Sequence, residues 1–155
     1  MGDVLFYHLT RSPLPQALAM LLEKCLERGW RVAVRVPAAE TLDRLDAQLW
    51  LGPEERFLPH GIAGGPHDAR QPVLLTLGDA PAANAPDVLM SVEGAGLEAA
   101  ELAGLSRACV LFDGADGAQL ERARSQWKAL TAAGAVAQYW SEESGRWQMK
   151  AQSGT

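Results

Sequence analysis

Arg124, Trp127, Lys128 and Thr131 recur at helical intervals. Successive residues advance about 100° around a helix, so the four gather on one flank. Ala123, Leu130 and Gly134 fall on the adjoining face, where they can pack on a sheet. Two cations beside one indole suit a ligand with a carboxylate and an apolar side chain: the cations pair with the anion and the ring walls the apolar group. The competing reading is a solvated basic face with Trp127 simply packed.

A second group is Trp50, Phe57, Leu58 and Pro59, the first just before and the others within a Pro- and Gly-rich stretch over residues 51–71. Apolar and aromatic side chains gathered in such a loop mark either a protein interface or a loop folded back on its own core. The catalytic and metal-binding patterns are thinner. His8, His60 and His67 show no ligand spacing with cysteine or carboxylate, and His8, at the end of the first strand, reads as a packing residue rather than a proton carrier. Cys25 and Cys109 each lie in an apolar run and read as free buried thiols. There is no phosphate-binding Walker loop, no nucleophile elbow and no H-E-x-x-H, so neither a metal nor a cofactor is expected. One nucleotide-binding alternative stands. Gly94-Ala95-Gly96 follows a strand and opens a helical segment, with Asp113 at the end of the next strand, where a ribose-binding acid would stand. Against it, the motif lies late in the chain and the first strand–helix turn, residues 10–13, has no glycine.

Strands and helices in alternation must carry these groups. Residues 3–9 (DVLFYHL) read as a buried strand, and Ser12 as the cap of a helix whose apolar residues run from Leu14 to Leu26 and which ends at Gly29. Residues 31–36 form a strand and residues 39–50 a second helix. Further strands are expected at 72–77, 87–92 and 108–112, a short helix at 97–102 and a long one at 116–133. Residues 135–140 and 146–149 close the chain as a hairpin across Ser144-Gly145. This order gives an α/β fold: a Rossmann-like three-layer domain with a mainly parallel central sheet and a C-terminal hairpin. One domain is expected over residues 1–150, with 151–155 a frayed tail.

The totals agree. Of the 155 residues 48% are hydrophobic, enough for a core without a disulfide or metal staple. The formal charge is −5, which disfavours a module that grips nucleic acid directly. No signal pattern opens the chain and no apolar run reaches the roughly 18 residues of a membrane span, so a cytoplasmic protein without membrane contact is expected.

Several strings, in order, also match a known pattern. FYHL at 6–9, LDAQLW at 45–50, FLPHGIAGG at 57–65, LFDGAD at 111–116, AR-x-x-WK-x-L-x-x-AG at 123–134 and YW…GRW at 139–147 resemble the chi subunit of bacterial DNA polymerase III, over about residues 3–149. The resemblance implies a non-catalytic adaptor of the clamp-loader assembly, with polymerase activity in other subunits. It implies two partners: the acidic, phenylalanine-ended C-terminal tail of single-stranded DNA-binding protein, and the psi subunit. Arg124, Trp127 and Lys128 fall where the family holds the tail; Trp50, Phe57 and Pro59 fall where it meets psi. DNA would be contacted only indirectly. Thr131 stands where well-known members carry another basic residue, which implies a weaker or differently centred tail site.

Overall fold

The structure, a computed structural model, describes residues 2–50, 59–78 and 81–153. Its strands and helices are β1 (Asp3–Leu9), α1 (Leu14–Glu27), β2 (Val32–Val36), α2 (Ala39–Trp50), β3 (Gly61–Ile62), β4 (Val73–Leu77), β5 (Val88–Val92), β6 (Arg107–Asp113), α3 (Gly117–Ala132), β7 (Ala137–Ser141) and β8 (Gln148–Ser153). One sheet runs β3-β4-β2-β5-β6-β1-β7-β8, parallel throughout except for the antiparallel β7–β8 pair. Inner strands covered on both faces must be apolar on both, which is why β2 and β5 are buried end to end.

Alternation along the strands sorts the core into two halves. Leu5 and Tyr7 of β1, with Val34, Leu75, Met90 and Cys109, pack under α1 and α2 through Leu18, Leu22, Leu45 and Leu49. Val4 and Phe6, with Leu89, Val110 and Phe112, pack on the other face against Ala123 and Leu130 of α3. The architecture is the expected three-layer α/β fold with its terminal hairpin. Both cysteines are free and buried; burial raises the Cys25 thiol and pushes that of Cys109 up to about 12, so both stay protonated at neutral pH. None of the described helices is long and apolar enough to cross a membrane.

Three local expectations are corrected. Ser12 does not cap α1. The N-cap is Pro13, which makes no side-chain capping bond, and the Ser12 hydroxyl instead donates to Glu142 Oε1 at 2.7 Å. Glu142 Oε2 accepts from the backbone N–H of Thr10 (3.2 Å) and Ser12 (3.1 Å), so one buried carboxylate from the far end of the chain shapes the β1–α1 turn. The short helix before β6 is a 3-10 turn, Ala99–Gly104. The last strand starts later than residue 146 and continues to Ser153, paired with Ala137, so Gln152 and Ser153 belong to the sheet rather than to a frayed end. Residues 143–146 before it form the turn, closed by the bond from Gly145 N–H to the Glu142 carbonyl at 2.9 Å, and Trp147 packs edge-on against Tyr7 at 5.4 Å.

Burial pushes the Glu142 carboxyl up, but the bonds from the Ser12 hydroxyl and from backbone N–H groups outweigh it and hold it below the ordinary glutamate range. A carboxyl lowered in the folded state stabilises above its unfolded value and loses that contribution as pH falls through the folded value. Glu142→Gln should therefore cost roughly 2 kcal/mol at pH 7 and progressively less below about pH 4. Urea unfolding of both chains across that range measures it; a gap that stays constant with pH would contradict the latch.

Candidate functional site

Asp116 starts α3 by accepting the N–H groups of Ala118 (3.0 Å) and Gln119 (3.2 Å), and Gly134, at φ +94°, closes it. The helix packs on β6 and β7. Its Ala123 and Leu130 are buried, as their spacing requires, and this turns Trp127 half-inward along the seam with the sheet. There the indole meets Phe6 (centroids 5.3 Å apart, 65° between planes) and Tyr139 (6.3 Å, 78°), both edge-to-face.

A notch of about 480 Å³ opens beside it. Phe6, Phe112, Leu120, Trp127 and Tyr139 form its walls, with Arg124 and Lys128 at the rim. It is broad enough for one aromatic side chain and the charged group next to it. Lys128 is exposed and forms no ion pair with a described residue; Arg124 is exposed and paired with Glu121 on the same helix at 3.1 Å. Burial, helped by the Glu143 carboxylate, pushes the Tyr139 phenol up, and Arg124 pulls it part of the way back.

Thr131 does not line this notch. Its hydroxyl donates back to the carbonyls of Trp127 (2.7 Å) and Lys128 (3.3 Å), which occupies the one proton it could offer to an anion. Of the four residues on the flank, the structure gathers Arg124, Trp127 and Lys128.

The second group is divided. Trp50, at the end of α2, is 50% exposed, with its ring tilted over His60 at a centroid distance of 4.2 Å. His60 is buried beneath it, its Nε2 3.1 Å from Asp46 Oδ1. Pro59 is half-buried, while Phe57 and Leu58 lie outside the described residues.

A family model described as DNA polymerase III chi subunit, HolC, matches residues 1–138. The chain belongs to the DNA polymerase III chi subunit family. A curated relative, the probable DNA polymerase III subunit chi of Rickettsia prowazekii (strain Madrid E), is 27% identical over 70 residues. That match takes in 45% of this chain and 42% of the relative, so the chain spans under half the length of the relative it matches.

The stretch matched to the chi family holds all of α3, and ends one residue before Tyr139. Tyr139, Phe6, Phe112 and Leu120 are walls that sequence spacing did not pick out. Leu120 comes from α3 itself, whereas Phe6, Phe112 and Tyr139 meet because β6, β1 and β7 are neighbours in the sheet, with Phe6 level with Tyr139 and His8 level with Phe112. The available signal was an aromatic in each of three strands. His8 is a packing residue: it stacks on Phe112 at 5.0 Å and hydrogen-bonds the Tyr139 hydroxyl through Nδ1.

The nucleotide alternative meets a physical obstacle in this chi-family fold. Gly94 and Gly96 do adopt left-handed φ values of +81° and +100°. The glycines lead, however, into the six-residue 3-10 turn, where a capping box places the Glu98 carboxylate on the N–H of Glu101 and the Glu101 carboxylate on the N–H of Glu98. Asp113 is engaged locally, its Oδ1 accepting from Ala115 N–H at 2.9 Å. A phosphate would meet carboxylates where the fingerprint needs free N–H groups.

Proposed function

We propose that this chain is a non-catalytic replication adaptor of the DNA polymerase III holoenzyme, working in the cytoplasm as part of the clamp-loader assembly. Its α3 notch takes the acidic, phenylalanine-ended C-terminal tail of single-stranded DNA-binding protein, and Trp50, Phe57, Leu58 and Pro59 meet the psi subunit. Polymerisation belongs to other subunits, and DNA is reached through its binding protein. The observation that carries the tail site is an aromatic-walled notch with two cations on its rim, on a chain of net charge −5. The terminal carboxylate and neighbouring aspartates pair with Lys128 and Arg124, and the last ring enters beside Trp127. Binding is expected to be about micromolar and to weaken with salt, since both cations are exposed. Such a contact exchanges readily, as suits a complex that moves along coated single-stranded DNA.

Titration with a tail peptide ending in Pro-Phe, beside the same peptide lacking the last residue, tests this. Burying a phenylalanine is worth roughly 2–3 kcal/mol, so the shortened peptide should bind about 50-fold more weakly. Equal affinities would remove the aromatic notch from the proposal. For psi, Trp50 is the exposed anchor, and Trp50→Ala should weaken co-purification with psi while leaving tail-peptide affinity unchanged.

A further inference from the structure

A second aromatic notch lies on the opposite face of the sheet. It has a volume of about 330 Å³ and sits between the end of α1 and the β7–β8 hairpin, with Tyr7, Trp30, Trp140 and Trp147 among its walls. Lys24, Arg28 and Arg107 surround it, and no described carboxylate stands within ion-pair distance of any of the three. The guanidinium groups of Arg28 and Arg107 lie over the Trp30 ring, at 4.8 and 5.2 Å from its centroid. These cation–π contacts hold the two guanidiniums beside the ring, and no described residue accepts a hydrogen bond from their N–H groups, which can meet an anion. Trp147 is fixed edge-on against Tyr7, and the Trp140 indole N–H donates to Gln138 at 3.0 Å, so the walls are ordered by contacts of their own.

We propose that this notch is a second peptide-docking site, for an acidic segment bearing an aromatic side chain. Three cations without acidic partners among the described residues, on a chain of net charge −5, select an anion; ordered rings select an apolar group attached to it. A discrete notch fits one side chain and its flanking carboxylates, whereas a single strand of nucleic acid needs a groove that follows its backbone. The two notches share a wall. Tyr139 of β7 faces the α3 notch, while its neighbours Gln138 and Trp140 face this one. The proposal stands apart from the α3 notch and does not require it.

The test uses the full chain labelled with nitrogen-15, whose tryptophan indole N–H signals are assigned by single replacements with phenylalanine. The probe is a peptide of four aspartates ending in phenylalanine, added to the wild-type chain and to Lys24→Gln/Arg28→Gln. In the wild type, the signals of Trp30, Trp140 and Trp147 should move saturably. In the double variant, affinity read from those signals should fall about tenfold, while that read from Trp127 stays within twofold. A Trp127 signal that does not move, with the other three moving, counts against the α3 notch alone. The second site is overturned if those three stay still at millimolar peptide, if the double variant changes nothing, or if oligothymidylate moves them and the peptide does not.

Discussion

Lys128→Glu should lower the affinity for the acidic, phenylalanine-ended tail by about a hundredfold at low salt, and Arg124→Ala by only about threefold. Both are exposed cations at the rim of one notch, but Arg124 is already engaged by Glu121 at 3.1 Å, one turn away. Part of its attraction for a ligand is spent in advance. Lys128 has no such partner among the described residues, and reversing its sign replaces attraction with repulsion against every aspartate of the tail. The same logic gives the opposite outcome at Glu121. Glu121→Gln should tighten binding by about twofold to threefold, because it releases Arg124 and removes a negative charge from the rim. Calorimetric titration of the three variants at low and moderate salt checks the order, and all differences should shrink as salt rises. Equal losses for Lys128→Glu and for a cation outside α3, such as Arg44→Glu, would sink the proposal of a localised site.

The largest stability loss should come from Glu101→Ala. Arg35 lies on the inner strand β2, 4% exposed, and reaches Glu101 through two bonds, Nη1 to Oε1 at 2.9 Å and Nη2 to Oε2 at 2.5 Å. Its Nη1 also approaches the Gly96 carbonyl at 3.4 Å. The Arg35 hydrogen bond, against an opposing push from partial burial, holds the Glu101 carboxyl below the ordinary range. Removing the carboxylate takes the bidentate ion pair away from a buried guanidinium, a change that costs about 3–5 kcal/mol. For a chain of this length that lowers Tm by roughly 10 °C. Replacing both partners with leucine should recover most of the loss, since no charge is then left in the core. A Glu101→Ala chain that melts with the wild type would show that solvent reaches Arg35 freely.

Much of the fold was legible because buried parallel strands write themselves as unbroken apolar runs. Each of β1, β2, β4, β5 and β6 lies within about a residue of its expected place, and α2 spans the expected residues. β8 was less legible: only Met149 and the small Ala151 alternate with Gln148, Lys150 and Gln152, a weak signal, and it is a strand because β7 offers an edge to pair with. The role of Ser12 was misjudged for a related reason. Its actual partner, Glu142, is distant in sequence, and local capping rules cannot see it. The α3 flank was legible because i, i+3 and i+4 spacing is local. The walls facing it were not, because Phe6, Phe112 and Tyr139 become neighbours only through the strand order β6-β1-β7.

The two ends of the described sheet have a consequence for solubility. An open strand edge is a template on which further chains can add and build fibres. Here one end is the two-residue β3, too short to nucleate such growth, and the other is β8, whose exposed glutamines and Lys150 make stacking of apolar strands unfavourable. A double substitution that makes this margin greasy, Lys150→Val with Gln152→Val, would be expected to drive concentration-dependent aggregation of an otherwise correctly folded chain.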